Sequence, residues 1–395
     1  MRFRLWNLDR RARQGGYLAC LGVFAFGAYI AAQNPTLKTR TREQRDREYL
    51  ASHRIILNVQ VADSTGKLVP DLAAADFTLF DNSQPRKIAG VHMIDGQAMY
   101  DATEIVILLD AVNSTAQELQ AERDAIFKYL AQGHGPLPYP TSFVLWFNGH
   151  LKGAAPTTDR NSLGRAFVGM TKRVHPNLCA PANGSVVQNA ASSSGPVTPE
   201  QAGSGNQDPE VANCLKAHFR DSVAALEGIA QQQKKIGGRT ILIWVGQGWP
   251  LLSDDESLNP RARESYFEDL VGVVRDLRDA QVTIDAVAPS NDTREKEPAG
   301  VDVKSLVAGT ISARNAGPRS LALPVLAMQT GGRVLTSSRD VKADLASCTH
   351  DADGYYAISF QAMPALTAHE FHRVEVKVNR PGLDVRTLTT YYAEP

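Results

Sequence analysis

The sequence predicts an α/β protein in which a doubly wound, mostly parallel sheet is inserted in a small β-sandwich. Between residues 103 and 348, apolar strands alternate with amphipathic helices, which is typical of a parallel sheet covered by helices on both faces. Strands without intervening helices come before this region and after it. We expect these N- and C-terminal strands to pair with each other, so that the α/β domain lies between the two halves of the sandwich.

The central strands are predicted from apolar runs that are continuous, a pattern typical of strands buried on both faces. These runs are EIVILLD, SFVLWF, RTILIWV, QVTIDAVAP and the shorter GGRVLTS. One helix is expected to begin after a cap at Thr158 or Asp159, because short polar side chains accept hydrogen bonds from the first turn. The other helices are predicted near residues 117–131, 211–230, 261–281, 318–330 and 341–348.

The flanking strands are predicted from alternation of apolar and polar residues, the period of a half-buried strand. An N-terminal β unit covers residues 54–98 and includes RIILNVQVA, with further strands near 77–80 and 88–94. The C-terminal β strands, residues 352–395, are GYYAISFQ, FHRVEVKVNR and VRTLTTYYA. We expect these strands to pack with residues 54–98.

The chain has 395 residues, with 42 Lys and Arg against 42 Asp and Glu. This zero net charge argues against nucleic acid as a partner, because binding to phosphates needs a basic surface. Residues 1–32 combine an arginine-rich start with an uncharged run from Tyr17 to Ala32. That pattern predicts a signal peptide or an uncleaved signal anchor, followed by a linker over residues 33–53. We therefore expect an exported protein, periplasmic, cell-envelope or secreted, which touches a membrane only through an uncleaved N-terminal segment.

A segment rich in Pro, Asn, Gly, Ser and Gln, residues 175–210, is predicted to be a flexible insertion in the α/β domain. His175 and Cys179 come near its start, and Cys214 and His218 follow its end. An exported protein favours a Cys179–Cys214 disulfide. Two Cys and two His could also bind zinc, and free thiols are a third alternative. The remaining Cys348 is expected to be a buried thiol near a helix end.

Polar residues follow the first central strand, in the sequence LLDAVNST. Ligands of doubly wound sheets bind at the carboxyl ends of the strands. Asp110, Asn113 and Ser114 could there supply oxygen ligands to Mg²⁺ or Mn²⁺. In the alternative interpretation, Asp110 caps its loop by accepting backbone N–H bonds.

This loop and the later strand ILIWVGQG resemble a von Willebrand factor type A domain. Residues 55–80 and the ending RVEVKVNRPGLDVRTLTTYYA are similar to a bacterial exported family of such proteins, over about residues 54–393. The resemblance implies a metal-ion-dependent adhesion site with the pattern Asp-x-Ser-x-Ser, a threonine from a second loop and a later aspartate. Asp110 and Ser114 match the first and last residues of the pattern. Val112 and Gln247 replace a serine and the aspartate, and Thr157 or Thr158 is the candidate threonine.

The expected function is therefore protein or peptide binding on the top face of the α/β domain, with metal dependence weak or lost. Gln247 and Trp249 are candidate partner contacts, although Trp249 and its neighbours could instead pack inside the domain. An alternative is a structural component that docks into a cell-envelope assembly through the β-sandwich. An envelope hydrolase is less favoured, because no paired nucleophile and base stand out in the sequence.

Overall fold

The computed structural model describes residues 53–96, 103–131, 133–176, 179, 209–249, 260–289, 306–316, 321–338, 340–363 and 365–395. The predicted signal segment and linker, and most of the predicted insertion, lie outside these residues. In chain order the strands are β1 Arg54–Ala62, β2 Phe77–Asp81, β3 Gln84–Arg86, β4 Ile88–Asp95, β5 Glu104–Asp110, β6 Thr141–Phe147, β7 His150–Gly153, β8 Thr240–Val245, β9 Val282–Pro289, β10 Val334–Ser338, β11 Gly354–Gln361, β12 Glu370–Val378, β13 Asp384–Arg386 and β14 Thr390–Ala393. The helices are α1 Ala116–Ala131, α2 Arg160–Thr171, α3 Pro209–Ile236, α4 Pro260–Asp279, α5 Leu323–Gln329 and α6 Val341–His350.

The central sheet has six strands in the order β10-β9-β8-β5-β6-β7. All neighbouring strands are parallel except β6 and β7, which form an antiparallel hairpin at one edge. Side chains of β5 alternate between two hydrophobic clusters, with Leu108 in one and Ile107 and Leu109 in the other. Residues of α3, α4 and α5 belong to the first cluster, and residues of α1, α2 and α6 to the second. The predicted α/β class and the mostly parallel sheet are therefore confirmed.

Two further sheets combine strands from both ends of the chain. One has the order β13-β1-β11-β4 and the other β14-β12-β2-β3, and all of their pairings are antiparallel. Their buried side chains form one shared cluster, in which Leu57 and Ile358 come from the first sheet and Leu79 and Val376 from the second. The two sheets thus pack face to face as a sandwich, and the six-stranded sheet is formed by the residues between their N- and C-terminal strands.

Two hairpins were not predicted, and both depend on turn residues with positive φ. Asn148 and Gly149 join β6 to β7 with φ of 50° and 71°, and Asn82 and Ser83 join β2 to β3 with φ of 47° and 65°. Positive φ at both central residues is the geometry of a type I′ turn, whose twist matches that of the flanking strands. The Asn148-Gly149 pair is the sequence signal for this turn, and the prediction of a single strand there overlooked it.

The predicted strand VRTLTTYYA is wrong as a single strand, because its two ends belong to different sheets. β13 pairs with β1, whereas β14 pairs with β12. Between them Leu388 is buried, so the chain crosses from one layer of the sandwich to the other. Among the described residues, no helix combines the length and the apolar character needed to cross a membrane.

Candidate functional site

The candidate site lies at the carboxyl edge of the central sheet, where β5 ends and α1 begins. Asp110 is the last residue of β5 and is in register with Trp146 of β6. Thr115 is the N-cap of α1 and forms a capping box with Glu118. Thr115 N donates to Glu118 Oε2 at 2.8 Å, and Glu118 N donates to Thr115 Oγ1 at 3.3 Å. The loop between them is therefore fixed at both ends.

The carboxylate of Asp110 accepts four hydrogen bonds. Oδ1 accepts from the backbone N–H groups of Val112 and Asn113, both at 3.0 Å. Oδ2 accepts from Asn113 Nδ2 at 2.8 Å and from the indole Nε1 of Trp244, on β8, at 3.0 Å. The residue is fully buried, and four donors match the roughly four acceptor positions of a carboxylate. Asp110 thus caps its loop, as one of the two interpretations of the sequence had it.

Ser114 is hydrogen-bonded to a second buried acid, Glu122 of α1, which sequence reasoning missed. Ser114 Oγ lies 3.0 Å from both carboxyl oxygens of Glu122, and neither residue is exposed to solvent. The sequence did hold a signal for it. Glu122 comes three residues after Leu119 and four before Ile126, so it lies on the apolar face of α1.

The two acids differ in how far their surroundings shift their pKa. Burial raises the pKa of Asp110, while its hydrogen bonds to Asn113, Trp244 and Val112 oppose that shift. Burial raises the pKa of Glu122 well above its usual range, and the nearby negative charge of Asp110 adds to the effect. The four N–H donors favour the charged form of Asp110, whereas the surroundings of Glu122 favour its neutral form. Asp110, Asn113, Ser114, Glu122 and Trp244 are called the Asp110 cluster below.

The Asp110 cluster does not fit a Mg²⁺ or Mn²⁺ ion. Such an ion binds carboxylate oxygens and waters in an octahedral shell. Here N–H groups point at both oxygens of Asp110, and the hydroxyl of Ser114 is engaged with Glu122. Val112 is buried and offers no side-chain oxygen. Gly246 also packs closely against the cluster, because a Cβ added to this glycine would lie only 2.8 Å from Asp110 Cβ.

The prediction that Thr158 joins this site is wrong. Its neighbour Thr157 forms a bridge with Thr141, the first residue of β6, at the amino edge of the sheet. Asp110 is in register with Trp146, five residues further along β6, which is about 17 Å at 3.3 Å per residue. The unpredicted strand β7 explains the error, because it returns the chain from the carboxyl edge before Thr158 is reached.

The two candidate partner contacts have opposite environments. Trp249 is only 3% exposed, its Nε1 donates to the carbonyl of Leu321 at 2.6 Å, and its ring meets Phe219 and Trp244 edge to face. It packs inside the domain, so its prediction as a surface anchor is wrong. Gln247 is exposed just beyond β8, at the same edge of the sheet as the Asp110 cluster.

The predicted disulfide between Cys179 and Cys214 is confirmed, and Cys348 is a free, buried thiol. Cys214, His218 and Ser222 are spaced by four residues, so they lie on one face of α3. Ser222 Oγ accepts a hydrogen bond from Asn113 Nδ2 at 3.1 Å. The disulfide therefore lies two helical turns, about 12 Å, along α3 from the contact between Ser222 and the Asp110 loop.

No family model and no curated protein matches this chain. Among solved structures it is similar to an aerotolerance-related membrane protein from Bacteroides fragilis NCTC 9343 with multiple mutations to serines. The identity is 11%, the match covers 63% of this chain and 98% of that one, and the TM-score is 0.27. It is also similar to the human COPII-coat protein Sec24c, at 9% identity over 79% of this chain and 48% of that one, with a TM-score of 0.29. Both TM-scores are below 0.5, so neither likeness supports a conclusion about this chain.

Proposed function

We propose that this chain is an exported protein-interaction protein with a von Willebrand factor A-like domain, which binds a protein or peptide partner without a metal ion. The observation that carries the proposal is the set of four N–H donors around Asp110. In the family that the sequence resembles, this position belongs to a metal site. Here nitrogen donors occupy the position where a cation would bind. This supports a carboxyl edge of the sheet that binds its partner without a metal ion, as a rigid surface.

The accessible chemistry of this edge favours binding over catalysis. Ser114 is fully buried and held by Glu122, so its hydroxyl cannot reach a substrate. Gln247 is an exposed amide at this edge, whereas the amide nitrogen of Asn113 is engaged with Asp110 and Ser222. Amides donate and accept hydrogen bonds but are neither bases nor nucleophiles at neutral pH. We therefore propose that Gln247 contributes to recognition of a partner at this edge.

The disulfide supports export to an oxidising compartment, because disulfides persist in secreted and periplasmic proteins and are rare in the cytosol. The predicted signal segment, which lies outside the described residues, points the same way. The proposed location is periplasmic, cell-envelope or secreted. Contact with a membrane is proposed only through that segment, where it stays uncleaved.

A photo-crosslinking amino acid placed at Gln247 tests the proposal in cells that express the chain. The matched control is the same amino acid at Lys234, which is exposed near the end of α3 that precedes β8, at the amino edge of the sheet. We expect one dominant crosslinked partner, identified by mass spectrometry, from position 247 and not from 234. Chelation of divalent metals before irradiation should leave its yield unchanged. Equal products at both positions would contradict binding at this edge, and loss of the product on chelation would contradict metal independence.

A second candidate function is docking into an envelope assembly through the β-sandwich. β4 is an edge strand of its sheet, and an open groove of about 430 Å³ lies beside it, lined by residues that include Phe77, Leu79 and Ala89. Edge strands can pair with an extended segment of another protein. The crosslinking amino acid at the exposed Ala89 distinguishes the two candidates. A partner captured there and not at Gln247 would favour docking through the sandwich.

A further inference from the structure

We propose that Cys179, Cys214 and His218 form a zinc site that is available only when the disulfide is reduced. In the oxidised chain the two sulfurs are bonded to each other and cannot bind the metal as thiolates. In the reduced chain the same three side chains supply two thiolates and one imidazole. This inference is independent of the partner-binding function proposed above.

The three side chains are brought together by α3 and by the segment that follows α2. Cys214 and His218 are four residues apart on α3 and so share a face of the helix. His218 Nε2 lies 3.7 Å from the Sγ atoms of both Cys179 and Cys214. One ligand atom from each residue lies within 4.8 Å of the other two. Among the described residues, this is the group of His, Cys, Asp and Glu side chains that could hold a metal ion.

These distances are close to those of a tetrahedral zinc site. Zinc binds sulfur at about 2.3 Å and imidazole nitrogen at about 2.0–2.1 Å, which places a nitrogen and a sulfur ligand about 3.6 Å apart. Both nitrogen–sulfur distances already have nearly this value. Two thiolates on one zinc ion are about 3.8 Å apart. The sulfurs must therefore separate after reduction. The imidazole must also turn slightly, because Cys179 Sγ now lies 3.7 Å from Nδ1 as well as from Nε2 of His218.

His218 is suited to the role of ligand because it is buried among the two cysteines. The residue is only 6% exposed, so its ring is held in place beside the sulfurs. A histidine must be neutral to bind zinc through its nitrogen lone pair. His175, the other histidine of the sequence pattern, is exposed and is absent from this group of side chains. The site thus has three protein ligands, and water takes the fourth position.

The change of state is a two-electron reduction by a dithiol. A thiolate of the dithiol attacks one sulfur of the Cys179–Cys214 disulfide, and the other cysteine leaves as a thiolate that takes up a proton. The second thiol of the reagent resolves the mixed disulfide, so the reagent ends as a cyclic disulfide and the chain as two thiols. Binding of Zn²⁺ then releases the two thiol protons.

The test compares the oxidised and reduced forms of the full chain. Dithiothreitol reduces the protein and is removed without oxygen, and Co²⁺ is then added as a spectroscopic substitute for zinc. We expect one equivalent of Co²⁺ with a thiolate charge-transfer band and the intense visible bands of tetrahedral cobalt, both removed by Zn²⁺. The oxidised chain should give neither band. Cys20 and Cys348 are present in the wild type and in both histidine variants described next, so a signal from these two thiols would not change with the substitution.

Two histidine variants separate this site from a non-specific signal. His218→Ala keeps both cysteines, so its fold can be checked with the disulfide formed, and it should weaken Zn²⁺ binding to the reduced chain at least about tenfold. His175→Ala should leave the affinity unchanged. The proposal is overturned if the reduced chain binds no metal, if the oxidised chain binds it equally well, or if His218→Ala has no effect. A loss in His175→Ala as large as that in His218→Ala would overturn the three-ligand assignment.

Discussion

The carboxylate of Asp110 is a buried charge that is stabilised by nitrogen donors in place of a cation. Three of the four donors come from its own loop: two backbone N–H groups, which any short turn after a strand could provide, and the side-chain amide of Asn113. The indole of Trp244 comes from the neighbouring strand β8 and ties the loop to the sheet. Beside it, burial and the charge of Asp110 raise the pKa of Glu122 well above its usual range, which favours a neutral neighbour for the Asp110 carboxylate.

Asp110→Asn is expected to lower the free energy of unfolding by roughly 1–3 kcal/mol. The amide oxygen can still accept from the backbone of Val112 and Asn113. Its NH₂ group would face the indole N–H of Trp244 and the amide of Asn113, and these donors would lose their acceptor. Urea unfolding followed by tryptophan fluorescence measures the change. Thr158→Ala, at the other edge of the sheet, is the control and should change stability by less than about 0.5 kcal/mol.

Gly246→Ala is expected to be more severe, with a loss of at least about 2 kcal/mol. Gly246 has a φ of 142°, which side chains rarely adopt, and its new Cβ would lie 3.3 Å from Ser114 Oγ as well as 2.8 Å from Asp110 Cβ. The control is Gly169→Ala in α2, where an added Cβ has no atom within 4 Å. That change should raise stability by about 0.5–1 kcal/mol, since alanine favours a helix. Equal midpoints of thermal unfolding for the two variants would contradict this account of Gly246.

The sequence allowed the position of the candidate site to be predicted, but not its chemistry. The end of an apolar strand, followed by Asn and Ser, was enough to single out Asp110 and its loop. The donors from Trp244 and the partner of Ser114 come from other elements, and their directions depend on how β8 and α1 pack against the loop. Trp249 shows the same limit, because only the packing of Phe219 and Leu321 around its ring makes it a core residue.

At the scale of the elements, successive residues of β1 point to two faces of the strand, and these faces differ in burial. Leu57 is fully buried inside the sandwich, whereas Ile56 is 41% exposed on the opposite face. Leu57→Ala is expected to cost about 2–5 kcal/mol, because it removes packed apolar volume and leaves a cavity. Ile56→Ala should cost less than about 1 kcal/mol. Chemical denaturation of both variants measures this difference, and similar losses would contradict the assignment of the inner face.

Strands with a strong pattern were predictable, and short strands that depend on turns were not. The continuous runs of β5, β6, β8 and β9 identified the central sheet because they are apolar on both faces. β7 has only four residues and was missed, since its evidence lies in the Asn148-Gly149 turn and not in its own pattern. The division of residues 385–393 between two sheets depends on contacts with β1 and β12, which are distant in sequence.

At the scale of the whole molecule, a charged cluster joins the sandwich to the central domain. Asp351 follows α6 and receives Nε and Nη2 of Arg333 at 2.9 and 2.6 Å. Its carboxylate also pairs at 2.5 Å with Arg386 of β13, and its backbone carbonyl accepts from Gln60 of β1 at 2.5 Å. Two strands of the sandwich thus contact a residue held by the α/β domain, which ties the two parts together by hydrogen bonds as well as by apolar packing.

Asp285 of β9 lies at this junction and makes stability depend on pH. Burial and the negative charge of Asp351 raise its pKa to about 6, whereas the pKa of an unfolded aspartate is about 3.9. Below about pH 4 the group is protonated in both states and has no effect. Between about pH 4 and pH 6 the unfolded chain releases the proton and the folded chain retains it, so stability falls as the pH rises. Above about pH 6 the loss is complete and amounts to roughly 3 kcal/mol.

Asp285→Asn should therefore remove this loss of stability, because the amide stays neutral at every pH. In the wild type the backbone N–H of Arg333 donates to Asp285 Oδ1 at 2.7 Å, and the amide oxygen of the variant can still accept this hydrogen bond. Urea midpoints measured from pH 4 to pH 8 should be similar for the variant and the wild type at the acidic end. The variant should gain steadily up to about pH 6 and then keep a constant advantage. Ile284→Val, in the same strand, is the control and should lower stability by about 0.5–1.5 kcal/mol at every pH. A stability difference between Asp285→Asn and wild type that does not change with pH would show that Asp285 is ionised in the folded chain throughout this range.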